Sequence, residues 1–218
     1  MKIAVIIAAG GTGKRMGQPK QFLPLAGKPV AEWTIDVFHK VKNVEQIVLV
    51  VSGEDLERAK NLGVKVVEGG EERGDSVKNG LKAISPDTNL VIIHDGARPL
   101  ITPDIIEKAV KEAREYGAAI VGVPVKDTIK RTGDDLLIKE TVDRQALWQA
   151  QTPQVFKYEI ITRAYADGRS ATDDAKLVED LGIKVKMVMG SFENIKITTP
   201  EDLIVAEAIL RNRNVLPK

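Results

Sequence analysis

The residues with the clearest chemical potential lie in a glycine-rich segment near the start of the chain, residues 8–17, which read AAGGTGKRMG. The apolar run before it, residues 3–7, has the length and β-branched content of a buried parallel strand, so the segment should follow that strand's carboxyl end. Ligands of open α/β sheets bind at this end of the strands. Glycines let backbone N–H groups approach phosphate oxygens, while Lys14, Arg15 and Lys20 add positive charge. This combination suits a polyphosphate.

Two better-known glycine-rich loops do not fit the segment. A P-loop that ends at Lys14 would need glycine at Ala8 and serine or threonine at Arg15. A dinucleotide fingerprint that starts at Gly11 meets Met16 where its third glycine should stand. The segment AAGGTGKRM, with PKQ close behind, is instead similar to the loop of sugar-phosphate nucleotidyltransferases, which wraps the triphosphate of an incoming nucleotide.

A second group of reactive side chains, HDGARP at residues 94–99, follows the apolar run 90–93. At the carboxyl edge of the sheet, the carboxylate of Asp95 can bind Mg²⁺, which usually takes one or two carboxylates together with substrate phosphates. His94 is one of only two histidines. Because Mg²⁺ prefers oxygen ligands, we interpret His94 as a packed side chain.

A third group, GGEERGDS at residues 69–76, precedes a predicted helix. Asp75 or Ser76 could cap this helix. The helix N-terminus and the flexible backbone before it could also recognise the base and phosphates of a nucleotide. The two roles are compatible.

Composition limits the partners of these groups. The 218 residues include no cysteine, which excludes a thiolate metal site and a cysteine nucleophile. The net charge of +1 argues against a broad face that binds nucleic acid. No apolar run is long enough to span a membrane, and the N-terminus lacks the regions of a signal peptide. We expect neither nucleic acid nor membrane as a partner, and a cytoplasmic protein.

Short apolar runs alternate with amphipathic stretches, as in the βαβ units of a doubly wound, mostly parallel α/β sheet. We expect a single domain over residues 1–218. Besides the first strand, strands are predicted at 47–51, 64–67, 90–93, 118–123 and 184–189. Helices are predicted at 30–39, 76–84, 103–116, 158–166, 173–181 and 200–211, the last with Thr199 as its cap.

The alternation breaks in residues 124–154, which we call the arm. Within it, Gly133-Asp134-Asp135 has the composition of a turn between two extended, partly polar segments, residues 126–132 and 136–142. A lone hairpin is only marginally stable in water, so it should pack on something else. A second copy of the chain is the obvious candidate, and we expect the arm to form a dimer contact.

Several short motifs accompany these groups: PKQF, DTIKR, TVDR, LWQAQTPQ, TDD and NIKITTPEDL. Together, from Lys2 to about Leu210, they closely resemble the 2-C-methyl-D-erythritol 4-phosphate cytidylyltransferases of the non-mevalonate isoprenoid pathway. The resemblance implies a Rossmann-like nucleotidyltransferase fold with a projecting β-hairpin, and a homodimer. It also implies Mg²⁺-dependent transfer of a cytidylyl group from CTP to methylerythritol phosphate, with release of pyrophosphate.

The resemblance further implies roles for individual residues. Arg15 and Lys20 match the cations that stabilise the transition state, and Asp95 matches the metal carboxylate. Arg144 and Lys196 match the catalytic pair that positions the substrate phosphate. The neighbours of that pair are Arg98 and Thr128. The nucleotide-binding residues are Ala8, Ala9, Gly10, Gly11, Gly13, Gly70 and Ser76.

Two departures from the family pattern are visible. Gly96 stands where many members have alanine, which replaces one small residue by another. The spacing from Met16 to Pro19 is short, so the reach of the loop around the triphosphate could differ.

Two alternatives remain open. Ribitol 5-phosphate cytidylyltransferases share a KQFLPL-like segment and the HD-x-x-RP strand end, whereas DTIKR, TVDR and LWQAQTPQ favour methylerythritol phosphate as the acceptor. A non-catalytic nucleotide-binding regulator would need only the loop and the metal carboxylate. The joint presence of Arg15, Lys20, Arg144 and Lys196 argues against it.

Overall fold

Eleven strands and seven helices can be assigned in the computed structural model, which describes residues 1–11, 19–166 and 173–215. The strands are β1 Ile3–Ala9, β2 Pro24–Leu25, β3 Lys28–Pro29, β4 Val44–Val51, β5 Lys65–Glu68, β6 Leu90–Asp95, β7 Ala118–Pro124, β8 Ile129–Thr132, β9 Ile138–Val142, β10 Trp148–Lys157 and β11 Lys186–Met189. The helices are α1 Val30–Phe38, α2 Leu56–Ala59, α3 Arg73–Ala83, α4 Pro103–Tyr116, α5 Tyr158–Ala166, α6 Asp174–Glu179 and α7 Pro200–Asn212.

Seven strands form the central sheet in the order β11-β7-β10-β6-β1-β4-β5. β1 pairs in parallel with both β4 and β6, and β7 pairs in parallel with β11. Among the strands of this sheet that the structure describes, only β10 runs antiparallel to its neighbours, β6 and β7. The predicted doubly wound, mostly parallel sheet is therefore confirmed. Each predicted strand or helix outside the arm has a counterpart in the structure.

The sheet is covered by helices on both faces, as the alternating residues of β1 show. Ile3, Val5 and Ile7 belong to the apolar core that includes residues of α1 and α4. Ala4 and Ile6 belong to the core that includes residues of α3, α5 and α6. Because side chains alternate along a strand, a strand buried on both faces must be apolar throughout, which is why this run could be recognised in the sequence.

A third, smaller core lies where α7 packs against the rest of the chain. It consists of Leu25, Val30, Leu100, Ile197, Ala206 and Leu210. Thr199 precedes α7 as predicted, and the carboxylate of Asp202 accepts hydrogen bonds from the N–H groups of Thr198 and Thr199 at 2.7 and 2.8 Å. Among the described residues, no helix is both long and apolar enough to cross a membrane.

The hairpin predicted within the arm is present as β8 and β9, which pair with each other and with no other strand in the described ranges. Its tip exposes three apolar side chains in a row, Leu136, Leu137 and Ile138, at 80%, 68% and 63%. Residues 148–154, also assigned to the arm, are instead the first part of β10 in the central sheet. The sequence does not predict β10, because its run WQAQTPQVFK has no apolar periodicity.

Helix α3 packs so closely on the sheet that residue 80 has no room for a side chain. A Cβ atom on Gly80 would lie 2.5 Å from Cγ2 of Ile6 and 3.2 Å from Cγ2 of Val50. Gly80→Ala should therefore lower the free energy of unfolding by about 1–3 kcal/mol, the usual range for overpacking, although alanine is the better helix former.

Gly74→Ala, in the same helix, is the matched control, because its Cβ atom meets nothing within 4 Å. This variant should be neutral or stabilising by at most about 1 kcal/mol. Denaturant-induced unfolding measures both. Equal stability of Gly80→Ala and the wild type would contradict the close packing.

Candidate functional site

A cavity opens where the carboxyl ends of β1 and β6 lie side by side, with Ala8 paired to Asp95. The chain continues from β1 to β4 on one side and returns as β6 on the other, and such a switch point is where open α/β sheets bind ligands. The cavity is lined by Ala8, Ala9, Gly10, Gly11, Lys20, Gln21, Gly70, Glu71, Glu72, Arg73, Ser76, Asp95, Ala97 and Lys196. It thus brings together residues predicted from five separate motifs.

Two glycine-containing segments form one wall of this cavity and meet at Ser76. Its Oγ accepts a hydrogen bond from the N–H of Gly70 at 3.2 Å. A Cβ atom on Gly10 would lie 3.3 Å from this oxygen, and one on Gly69 would lie only 2.6 Å away. Side chains at these positions would force the two segments apart.

The start of α3 differs from the prediction. The helix begins at Arg73, and the residue before it is Glu72, whose N–H donates to the carboxylate of Asp75 at 3.3 Å. The prediction that Asp75 or Ser76 precedes the helix as its cap is therefore wrong. The Ser76 hydroxyl faces Gly70 instead, and the helix starts three residues earlier than predicted because the carboxylate of Asp75 reaches back to accept from the N–H of Glu72.

Asp95 is surrounded by positive charge. Oδ2 lies 2.8 Å from Nζ of Lys196 and 3.5 Å from Nε of Arg98, and Oδ1 lies 3.3 Å from Nε of Arg73. Burial alone would raise the pKa of this carboxyl group, but the three cations outweigh burial and hold the pKa well below its usual range. Asp95 is therefore ionised at neutral pH. We call Arg73, Arg98 and Lys196 the cation cluster.

A buried histidine fixes the turn that carries Asp95 and Arg98. Nε2 of His94 lies 3.1 Å from the carbonyl oxygen of Arg98, and Nδ1 lies 3.0 Å from Oγ1 of Thr152. A carbonyl oxygen only accepts, so we assign the proton to Nε2, and Nδ1 then accepts from the Thr152 hydroxyl. The same Oγ1 accepts from the N–H of Asp95 at 3.0 Å. The prediction that His94 is a packed side chain is confirmed, since it is fully buried.

The segment that carries Lys196 is attached to the same turn. Nη1 of Arg98 donates to the carbonyl oxygen of Asn194 at 2.8 Å. The N–H of Ile197 donates to the carbonyl oxygen of Ala97, also at 2.8 Å. These two hydrogen bonds lie on either side of Lys196 in the sequence and hold its backbone against the end of β6.

A second cavity adjoins the first and includes residues of β10. It is lined by Arg73, Asp95, Arg98, Ala150, Gln151, Thr152, Gln154, Asp173 and Lys196. Arg73, Asp95 and Lys196 line both cavities. Two anionic groups placed in the two cavities would therefore meet at the cation cluster.

The donor set allows only one mode of binding for Mg²⁺. No group of three His, Cys, Asp or Glu side chains in the described part of the chain could hold a metal ion. The two oxygens of Asp95 already face three cations, so the carboxylate offers at most one further position. These residues fit Mg²⁺ when nucleotide phosphates and water supply the other ligands, as is usual for this ion.

The chain matches a family of known proteins over almost its whole length. The family model described as 2-C-methyl-D-erythritol 4-phosphate cytidylyltransferase matches residues 3–212. The chain belongs to this family. A protein of that name from Alkaliphilus oremlandii is 50% identical across 97% of this chain and 96% of that protein. Another, from Caldanaerobacter subterraneus, is 46% identical across 97% of this chain and all of that protein.

Solved structures of the family have the same fold. The structure of 4-diphosphocytidyl-2C-methyl-D-erythritol synthase from Anaerococcus prevotii has a TM-score of 0.86 and 35% identity, covering 96% of both chains. The structure of 2-C-methyl-D-erythritol 4-phosphate cytidylyltransferase from Thermus thermophilus has a TM-score of 0.84 and 35% identity, covering 97% of this chain and all of the other. The predicted family, fold and function are confirmed: this chain is a cytidylyltransferase.

Not all residues expected from the family pattern meet in the two cavities. Thr128 and Arg144 flank the hairpin, are exposed, and do not line either cavity as the structure describes them. The guanidinium of Arg144 donates to the carbonyl oxygen of Lys126. Arg15 and Gly13 lie outside the described residues, so their predicted roles stay predictions.

Sequence reasoning missed Arg73 and the polar residues of β10. Arg73 lies within the quoted motif GGEERGDS, but nothing in that motif distinguishes it from a solvated arginine. Gln151 and Thr152 lie within LWQAQTPQ, which carried the resemblance without suggesting a strand. Only the pairing of β10 with β6 and β7 brings them to the site.

His94→Gln should flatten the pH dependence of stability between about pH 6.5 and pH 4. Burial lowers the pKa of His94 to about 4 in the folded protein, whereas an unfolded histidine takes up its proton near pH 6.5. The unfolded wild type therefore binds more protons in this window, and its free energy of unfolding falls as the pH is lowered. Relative to the variant, the wild type should lose roughly 1 kcal/mol per pH unit.

Urea unfolding at several pH values measures this difference, and His39→Gln, at an exposed position, controls for the loss of one imidazole. Parallel loss of stability in the wild type and His94→Gln would show that His94 is not held neutral by the fold.

Proposed function

We propose that this enzyme transfers the cytidylyl group of CTP to 2-C-methyl-D-erythritol 4-phosphate, giving 4-diphosphocytidyl-2-C-methyl-D-erythritol and pyrophosphate. The main support is the cation cluster between two adjoining cavities, in a chain that belongs to the family over residues 3–212. One cavity has the glycine-containing wall that suits a nucleotide, and the other has room beside the same cations for a second phosphate.

The reaction must bring two anionic groups together. A phosphate oxygen of the acceptor attacks the α-phosphorus of CTP and forms a new P–O bond, while the bond to the β-phosphate breaks and pyrophosphate leaves with the electron pair. A phosphate monoester is ionised near neutral pH, so the enzyme needs no side-chain nucleophile. Positioning and electrostatic stabilisation supply the rate.

The cations of the site are suited to this task. At an effective dielectric constant of about 20, a cation roughly 4 Å from a unit negative charge is attracted by about 4 kcal/mol. Lys196 and Arg98 would hold the acceptor phosphate, and Lys20, with Arg15, would stabilise the charge that develops on the α- and β-phosphates. Main-chain N–H groups of Ala8 to Gly11, of Gly13 and of Gly70, with the Ser76 hydroxyl, would bind the nucleotide.

Mg²⁺ is the proposed cofactor. Asp95 would supply one oxygen ligand, because its low pKa keeps it ionised and it lines both cavities. When bound, the ion would neutralise negative charge on the nucleotide phosphates.

We also infer a homodimer in which each hairpin serves the partner's active site. The exposed apolar side chains at the hairpin tip, Leu136 to Ile138, would be covered in such a dimer. Thr128 and Arg144 flank this hairpin rather than the cavities of their own sheet. In the dimer that we propose, a two-fold axis relates the protomers, and both residues of one protomer would lie beside Lys196 of its partner.

The proposed reaction is tested by pyrophosphate release with four nucleotides and a panel of polyol phosphates. We expect turnover with CTP and methylerythritol phosphate that requires Mg²⁺ and clearly exceeds turnover with ribitol 5-phosphate. Faster release with ribitol 5-phosphate would replace the proposed acceptor. Tight CTP binding without release from any acceptor would favour a regulatory role.

The exchanged hairpin is tested by mixing two inactive variants, Lys20→Ala and Arg144→Ala. If hairpins are exchanged, a mixed dimer has one site with both lesions and one with none. Random exchange makes about half the dimers mixed, so co-refolding should restore about a quarter of wild-type activity. Each variant refolded alone is the control. Activity that stays at the level of the controls, despite confirmed subunit exchange, would show that the hairpin serves its own chain.

A further inference from the structure

Asp174 is a buried carboxylate whose role the proposed reaction leaves unassigned. It is the second aspartate of the motif TDD, begins α6, and has no solvent exposure. Its oxygens accept hydrogen bonds from Nη1 and Nη2 of Arg73 at 3.0 and 2.8 Å, and from the Tyr165 hydroxyl at 2.5 Å. A buried charge is costly to keep unless it is well paired, so its placement needs a reason.

The geometry of Arg73 indicates that reason. Its guanidinium binds Asp174 through both terminal nitrogens and reaches Asp95 only through Nε, at 3.3 Å. The fork of two terminal nitrogens is the edge that binds a carboxylate most strongly. Because Asp174 occupies this edge, Arg73 contacts only Oδ1 of Asp95, and Oδ2 remains with Lys196 and Arg98.

We propose that Asp174 is a positioning residue for the acceptor phosphate, which it influences through Arg73 and Asp95. It holds the terminal nitrogens of Arg73, so that Asp95 is shared by all three members of the cation cluster. Without this carboxylate, Arg73 would turn its fork to Asp95 and weaken the contact between Asp95 and Lys196. This inference rests on the proposed function, in which Lys196 and Arg98 bind the acceptor phosphate.

Tyr165 is part of the same arrangement. Its hydroxyl donates to Oδ1 of Asp174, the oxygen that also accepts from Nη1 of Arg73. Burial, with the neighbouring charge of Asp174, raises the pKa of Tyr165, so the phenol keeps its proton. The donor thus fixes the orientation of the carboxylate toward Arg73. α3, α5 and α6 are joined at this point.

Asp174→Asn tests the proposal because it removes the charge and keeps the shape. The KM for methylerythritol phosphate should rise about tenfold or more, as expected when one member of a buried, charged hydrogen-bonded network is lost. The KM for CTP should rise clearly less than the KM for the acceptor, since the hydrogen bond from Gly70 to Ser76 in the nucleotide cavity does not involve Asp174.

Val178→Ala is the control for a merely structural role. Val178 is fully buried in the same helix, within the apolar core of α3, α5 and α6. This variant should lower the melting temperature and leave both KM values unchanged. If Asp174→Asn lowers the melting temperature in the same way and leaves the acceptor KM within twofold of the wild type, the positioning role is overturned.

Two further variants keep the test decisive. Tyr165→Phe removes one donor and leaves the ion pair, so it should raise the acceptor KM by about two- to threefold even if Asp174→Asn does not fold. A double variant combines Arg73→Met with Asp174→Asn. Its acceptor KM should be no higher than that of whichever single variant has the higher acceptor KM, because both changes act at one contact. Effects that multiply would show independent roles and overturn the proposal.

Assays of the wild type separate this inference from the proposed function. If the wild type turns over no acceptor, the proposed function fails. If the wild type is active and the Asp174 and Tyr165 variants keep its acceptor KM, only the positioning role fails. An equal rise in the KM for CTP and for the acceptor would also overturn it, since Asp174 would then support the whole site.

Discussion

The ionised carboxylate of Asp95 is the interaction on which the site depends. Three cations from three different parts of the chain point at it, and each would repel the others without it. The backbone of Asp95 in turn is held by the pairing of β6 and by the Thr152 hydroxyl, which accepts a hydrogen bond from the N–H of Asp95 and donates one to His94. A small displacement of Asp95 would therefore move every cation that we assign to the acceptor phosphate.

The site also depends on β10, the antiparallel strand within an otherwise parallel sheet. Its polar residues Gln151, Thr152 and Gln154 are buried, and each makes hydrogen bonds to another segment. Asn194 donates to Gln151 and to the Thr152 carbonyl, which attaches the Lys196 segment to β10. In this strand, buried polar side chains with hydrogen-bond partners take the place of apolar packing, and their hydrogen bonds hold the segments of the site together.

Whether a strand or a site residue could be predicted from the sequence depends on whether the buried side chains around it are apolar. β1 and β6 are apolar on both faces, so their position, and with it that of the glycine segment and Asp95, could be predicted. β10 could not, because its buried side chains are polar and their partners come from distant parts of the chain. The same holds for Arg73: a solvated arginine and one held between two carboxylates look identical in sequence, and only the meeting of α3, α6 and β6 distinguishes them.

The small third core links the last helix, α7, to the segment that carries Lys196. Ile197, directly after Lys196, is buried against α7, while most residues of that helix are exposed and only Ala206 and Leu210 are buried, so the helix belongs to the less stable part of the fold. Opening of α7 alone would uncover Ile197 and leave the Lys196 backbone held only by polar contacts, among them the hydrogen bonds to Asn194 and Ala97, with both large cores intact. On heating, the enzyme should then lose activity at a lower temperature than the one at which the whole chain unfolds.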